Sequence, residues 1–282
     1  MEIFAFTYCK KINRTNRFCI FLDTLMKPRL WLIVACGLFF SSAVYAQQPF
    51  QTWATYNHQG RLSNKWGYTF DLNYRTRGVL PFTSSLTAAR FGVNYHLNPK
   101  IRLNGGYAWF GTFVQDRYQI WLHENRLYQQ IQSNTRKGNL QFSQRIRLEQ
   151  RFRQGFKNLS SDDVNVYFTF RARYLFQVQG PLLRKAGTDD LILSWQAANE
   201  IFFHWGDNIG SNNFDQNRTL AGVVLDLGPT LDLAVLYQFI LQRQPLLQTT
   251  QDIHSIRFTL FHQLDFRNRK SNKEEKLPVT AD

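Results

Sequence analysis

The stretch that most constrains the fold runs from Asn139 to Phe152, NLQFSQRIRLEQRF, in which apolar and polar residues alternate. A period of two is typical of a β-strand, because successive side chains point to opposite faces of a sheet. One face carries Leu140, Phe142, Ile146, Leu148 and Phe152, and the other carries Gln141, Ser143, Arg145, Arg147, Glu149 and Arg151. The charged face must meet either solvent or the lumen of a membrane barrel.

The same period recurs along most of the chain, with short turns such as Asn98-Pro99 and Gly228-Pro229 between some of the segments. We count about eleven strand-like segments, the first at 50–59. Bacterial membrane barrels have an even number of strands and both ends in the periplasm, so we expect ten to twelve strands and favour twelve. Longer loops are expected at 78–85, 111–123, 154–163, 204–214 and 242–252.

Residues 1–46 are expected to be an upstream extension and a cleaved signal peptide, with Met26 as the translation start. A basic segment after Met26 precedes an apolar run from Leu30 to Phe40, and small residues follow up to Ala46. A retained membrane anchor is one alternative, which the short run disfavours. Lipidation at Cys36 is another, but the apolar run continues past that cysteine.

Cysteine content and charge limit the kinds of site that the mature chain could hold. Cys9, Cys19 and Cys36 all lie in the predicted signal segment, so the mature chain would hold no disulfide, thiolate metal site or cysteine nucleophile. The formal net charge is +14. The arginines are spread over alternate positions and form no patch, which disfavours nucleic-acid binding. An arginine-rich lumen, or attraction to anionic lipopolysaccharide, explains the charge better.

Together these patterns predict an all-β chain: a transmembrane antiparallel up-and-down β-barrel of about 12 strands with a charged lumen, spanning 47–266. Residues 267–282 are charged and lack any period, and they are expected to be a disordered tail. The strands are long enough for a tilted membrane crossing. Aromatic residues stand near the ends of the segments, as at a membrane interface: Trp66, Tyr74, Tyr95, Trp109 and Phe152.

The series HENRLYQQ, QRIRLEQRF, RARY, NEIF, FDQNR and LYQ resembles the bacterial family known as domain of unknown function 2490. The resemblance covers about Gln51 to Phe266. It implies an outer-membrane β-barrel of a Gram-negative bacterium, with no established activity or ligand. The positions that match the family's motifs are Glu124, Arg126, Arg145, Arg147, Glu149, Arg171, Arg173, Glu200 and Arg218.

All of the matching positions fall on predicted lumen faces, where each charge needs a counter-charge. We therefore predict an inward-facing charge ladder, in which the arginines keep the carboxylates ionised and unsuited to general-acid catalysis. Its members are Glu124, Arg126, Arg145, Arg147, Glu149, Arg151, Arg171, Arg173, Glu200 and Arg218.

The chain is not expected to be an enzyme, and no catalytic, cofactor or metal site is predicted. His204 and His262 lie in no recognised nucleophile–base signature. The favoured function is a narrow or plugged pore, or a structural or surface barrel, in the outer membrane. Its expected partners are outer-membrane lipids and lipopolysaccharide, the barrel-assembly machinery and, as an open option, a small solute. The alternatives are a lipid-acting barrel enzyme and a soluble periplasmic binding barrel.

Overall fold

The computed structural model describes residues 50–78, 83–114, 119–157, 163–184, 191–207, 209, 212–244 and 249–267. The predicted signal segment 1–46 and residues 268–282 of the predicted tail lie outside the described residues. Within the described ranges no helix is long and apolar enough to cross a membrane. The strands are β1 (Phe50–Arg61), β2 (Trp66–Arg77), β3 (Thr83–His96), β4 (Ile101–Val114), β5 (Ile120–Lys137), β6 (Leu140–Phe156), β7 (Val164–Arg184), β8 (Leu191–Gly206), β9 (Phe214–Gly228), β10 (Leu231–Gln244) and β11 (Thr249–Asp265).

The strands form one closed barrel in which each strand pairs with its neighbours in sequence. All sequential pairs are antiparallel, whereas β1 closes the barrel on β11 in a parallel pair from Phe50 opposite His254 to Arg61 opposite Asp265. In an up-and-down barrel the odd-numbered strands all run in one direction. Closure of the first strand on the eleventh is therefore necessarily parallel.

The prediction of an all-β barrel is confirmed, but the preference for twelve strands is wrong, as is the expectation of antiparallel pairing throughout. The segment that starts at Phe50 is a full barrel strand. Its free edge pairs with β11 directly, so the described barrel has eleven strands and no open edge. Parts of all five predicted loops also belong to strands, because backbone pairing continues past the point where side-chain alternation fades.

The barrel has two distinct rims. The turn rim holds the ends of the odd-numbered strands and the starts of the even-numbered strands, with turns at 62–65, 97–100, 138–139 and 229–230. The loop rim holds the starts of the odd-numbered strands and the ends of the even-numbered strands. In the two-residue turn between β5 and β6, Gly138 has a φ of 58°, the positive value that a type II′ hairpin needs at its first position. β1 begins at the loop rim and β11 ends at the turn rim.

Side chains alternate between the barrel interior and its outer surface as the sequence predicts. On β6, Arg145 and Arg147 are 2% and 3% exposed, whereas Ile146 and Leu148 are 50% and 51% exposed. Part of the interior is filled by an apolar cluster on β7 to β11 that includes Leu175, Leu220, Leu236 and Phe261. A smaller apolar cluster joins Trp53, Ile240 and Ile253. Much of the remaining interior is polar, and the outer surface is largely apolar.

The eleven-strand closure predicts a specific cross-link. Ala54 on β1 and Phe258 on β11 are register partners, and both face outward. We expect Ala54→Cys with Phe258→Cys to form a disulfide on mild oxidation, because Cα atoms of paired strands lie within bridging distance. The bond would be detected by peptide mass spectrometry.

The matched control is Ala54→Cys with Leu264→Cys. Leu264 pairs with Gly60, six residues further along β1, and should not cross-link to position 54. A barrel with another strand between β1 and β11 would give neither product, and that result would contradict the closure.

Candidate functional site

The predicted charge ladder lies inside the barrel. Nine of its ten members are buried, and the side chain of Glu124 is 13% exposed. The strand register brings them together, since Arg126 pairs with Arg151 across β5 and β6, and Glu149 pairs with Arg171 across β6 and β7. Side chains that are separated in sequence thereby share one face of a continuous sheet.

Five members of the charge ladder join Asp215 in a closed ring of alternating charge. The ring runs Glu124, Arg151, Asp215, Arg171, Glu149, Arg126 and back to Glu124. Its N···O distances range from 2.5 Å between Arg151 and Glu124 to 4.0 Å between Arg151 and Asp215. Each member has a partner of opposite sign on both sides, which is the arrangement that buried charges require.

The network continues from this ring to β8 through Arg173. Its Nη1 lies 2.9 Å from Glu149 Oε1, and its Nη2 lies 2.8 Å from Glu200 Oε1. Arg145 Nη2 also donates to Glu200 Oε1 at 2.9 Å. Both glutamates are 3% exposed, so each carboxylate serves two or more guanidinium groups away from bulk water.

Two predicted ladder members donate hydrogen bonds to amide oxygens. Arg147 donates from Nε and Nη2 to the amide oxygen of Gln130, at 2.8 and 2.5 Å. Arg218 lies opposite Glu200 in the register of β8 and β9, yet its Nε donates to Gln216 Oε1 at 3.1 Å. The interior is therefore a mixed network of ion pairs and amide contacts.

Several of the guanidinium groups lie against the faces of aromatic rings inside the barrel. Arg126 stacks over Phe110 with 3.5 Å between its Cζ and the ring centroid. Arg173 and Arg218 both lie 4.6 Å from the centroid of Phe202, which is fully buried. The faces of aromatic rings attract cations, and this attraction strengthens where water is excluded.

The sequence reasoning missed some members of this interior. Asp71 and Arg90 form a 2.6 Å ion pair, and they are register partners on β2 and β3. Both lie in segments where polar and apolar residues alternate, and pairing the two segments would join them. Asp215 directly follows the predicted loop 204–214, but it is the second residue of β9 and faces inward.

The two histidines considered for catalysis lie on different faces of the barrel. His204 is an inward-facing residue of β8, with its Nδ1 at 3.8 Å from Asp215 Oδ1. His262 is on the outer face of β11, where Nδ1 is 2.9 Å from Tyr56 Oη. In the described part of the chain, no three His, Cys, Asp or Glu side chains come together in a way that could hold a metal ion.

The interior leaves little free space where the polar side chains meet. A cavity towards the turn rim has a volume of about 10 Å³, enough for roughly one water molecule. Its lining includes Asp71, Arg90, Arg102, Tyr128 and Arg147. Gln132 and Gln177 are each 1% exposed, which places these polar side chains in packed protein instead of a wide aqueous channel.

The network predicts that removing one central carboxylate destabilises the barrel. Glu149→Gln keeps the side-chain shape but leaves Arg171 and Arg173 without their shared charge. We expect a loss of about 3–5 kcal/mol in the free energy of unfolding, as for other broken buried ion pairs. Urea unfolding of the refolded protein in detergent measures this change.

The matched control is Asp265→Asn, which makes the same chemical change in an ion pair with Arg267 at the turn rim. The Asp265 side chain is 50% exposed, so the expected loss is under about 1 kcal/mol. Equal losses of unfolding free energy in the two variants would contradict a stabilising role of the interior network.

Comparison with known proteins supports the resemblance read from the sequence motifs. Residues 50–249 match the family described as "Protein of unknown function (DUF2490)". A search of curated proteins gives no significant match. The matched range includes β1 to β10 and every member of the charge network. The chain belongs to the DUF2490 family.

Proposed function

We propose that this protein is an outer-membrane β-barrel whose interior is plugged by its own charge network, and that it serves as a structural or surface barrel. The proposal includes export through a cleaved signal peptide in a Gram-negative bacterium. It does not include catalysis, because the interior carboxylates are held by arginines and the two candidate histidines lie on different faces of the barrel.

The observation that carries the proposal is the inverted polarity of the barrel. Its large exposed side chains are apolar over the middle of many strands, including Phe91, Leu127, Ile146, Leu148, Phe170, Tyr174, Tyr237 and Phe258. Its buried side chains include arginines, glutamates and glutamines. A soluble barrel buries its apolar residues and exposes its charges, so an apolar outer surface of this extent favours a lipid surrounding.

Aromatic residues at both rims support the same proposal. Trp66 and Tyr95 pack edge to face near the turn rim, with 4.8 Å between ring centroids. Near the loop rim, the tilted rings of Phe152 and Phe168 have centroids 4.9 Å apart, and Trp205 is 44% exposed. Aromatic girdles at the two membrane interfaces are typical of transmembrane barrels. The band between them would contact outer-membrane lipids.

In the proposed orientation the turn rim faces the periplasm and the loop rim faces the cell exterior, where it would meet lipopolysaccharide. The C-terminal end of β11 then lies on the periplasmic side, available to the barrel-assembly machinery during insertion. The start of β1 would lie on the exterior side. This arrangement departs from the even-stranded bacterial pattern, although odd strand numbers are known in mitochondrial membrane barrels.

Single-cysteine labelling on intact cells tests the location and the orientation together. Lys157→Cys at the loop rim should react with a membrane-impermeant maleimide, because that residue is exposed and would face the exterior. Asn64→Cys at the turn rim is also exposed and should react only after the outer membrane is permeabilised.

The unsubstituted protein is the control, since its cysteines all lie in the predicted signal segment. Recovery of the chain in the soluble periplasmic fraction, without a heat-dependent shift in gel migration, would contradict the proposal. Labelling of Asn64→Cys on intact cells would show that the turn rim, and not the loop rim, faces the exterior.

The plugged interior predicts low conductance. Refolded protein inserted into planar bilayers should show no stable open-channel step, because the interior arginines and glutamines are packed against each other. Planar-bilayer recording, with a general porin as the positive control, measures this. Steady conductance of porin size would establish an open pore instead.

A further inference from the structure

A second group of arginines lies in the interior, apart from the ion-pair ring, around the indole of Trp53. Trp53 is 2% exposed on β1, and its register partners on the two neighbouring strands are Arg75 and Arg257. The Cζ of Arg75 lies 3.5 Å from the centroid of the indole, and that of Arg257 lies 5.8 Å away. Arg218 approaches the same ring from β9 at 5.2 Å.

These three arginines form no ion pair with a carboxylate of the described chain. The closest candidate in the register, Glu200, is opposite Arg218, but its oxygens accept from Arg145 and Arg173. The other ladder carboxylates are engaged in the ring. Three positive charges therefore share one aromatic ring, with no described counter-charge in contact.

Two of the three guanidinium groups also have a buried hydrogen-bond donor without an acceptor in the described part of the chain. Arg218 and Arg257 each donate from Nε to a neighbour on their own strand, Gln216 and Thr259. Arg75 Nε and Arg257 Nη2 are buried and have no acceptor in the described part of the chain. A buried charged donor without an acceptor is costly, so the site is chemically incomplete as the described chain builds it.

The charge balance of the described interior also favours a bound anion. Among the described residues, nine arginines are buried against five aspartates and glutamates. The carboxylates are concentrated around the ring and its extension, and the excess positive charge includes Arg218 and Arg257 at the indole. An anion bound beside Trp53 would supply both the missing acceptors and the missing charge.

We propose that Trp53, Arg75, Arg218 and Arg257 form a binding site for a small oxyanion of the phosphate class. Arginine is suited to this ligand because its planar fork donates two parallel hydrogen bonds to adjacent oxygen atoms. The attraction of the indole for cations holds the three guanidinium groups together, and Arg75 Nε and Arg257 Nη2 remain available to the anion. A tetrahedral oxyanion offers enough oxygen atoms to accept from three forks at once.

The site lies in the half of the barrel next to the loop rim. Trp53 is the fourth residue of β1, which starts at that rim, and Arg75 is the third residue from the end of β2. Under the proposed outer-membrane orientation, and only under it, the anion would enter from the cell exterior. The binding itself does not depend on that orientation.

Equilibrium dialysis of the refolded barrel in detergent against radiolabelled inorganic phosphate tests the site. We expect saturable binding of one phosphate per chain, at constant ionic strength set with sodium chloride. Arg218→Gln and Arg257→Gln should each weaken binding at least tenfold. Arg102→Gln is the matched control: it removes a buried arginine that donates to Gln59 and Gln132, and its contact Gln59 is roughly 20 Å along β1 from Trp53.

Unfolding in urea gives a second readout. Phosphate should raise the unfolding midpoint of the unsubstituted protein in a saturable manner, as any ligand of the folded state does, and the two site variants should lose this response. Three results would each overturn the proposal. Phosphate uptake could stay linear with concentration, or chloride could raise the unfolding midpoint as much as phosphate does. The third is unchanged phosphate binding in both site variants. Because the protein is in micelles, these failures would leave the outer-membrane proposal untouched.

Discussion

The interior of this barrel depends on the rule that a buried charge must have a partner. Removing a guanidinium or a carboxylate from water costs several kcal/mol, and the cost is offset only where opposite charges and hydrogen bonds are well placed. The strand register meets this requirement by setting Glu149 among Arg126, Arg171 and Arg173. One carboxylate in contact with several arginines explains how an interior rich in positive charge can still pack tightly.

The closed sheet determines where the charge network lies and permits an apolar outer surface. Pairing of β1 with β11 satisfies the backbone hydrogen bonds of both edges, so the barrel exposes no free strand edge. A chain with every backbone group paired can present apolar side chains outward and sit in hydrocarbon. The polarity seen on β6, with Arg147 inside and Leu148 outside, fits such a surrounding.

The part of this structure that could be predicted follows from local alternation. The period of two assigned Arg145, Arg147, Glu149 and Arg151 to one face, and these side chains do lie inside the barrel. The closing pair could not be predicted, because no local pattern states which strand meets β1. Charge partners on strands that are not adjacent were also out of reach, since the contact between Arg171 and Asp215 joins β7 to β9 across the interior.

The same limit explains why the Trp53 group was missed. Arg75 and Arg257 are far apart in sequence and become neighbours of Trp53 only when β1 joins both β2 and β11. Alternation placed each arginine on a polar face but gave no reason to bring the three together. Closure of the barrel thus creates both the ion-pair ring and the carboxylate-poor group beside it.

The central claim is that the apolar face of the barrel meets lipid and the charged face is packed inside. Nitroxide labels on single cysteines at Ile146, Leu148 and Phe152, in protein refolded into vesicles, test this claim directly. For a lipid-facing surface we expect high collision rates with oxygen, low rates with a water-soluble nickel complex, and a depth that changes steadily along β6. High accessibility to the nickel complex at all three positions would contradict it.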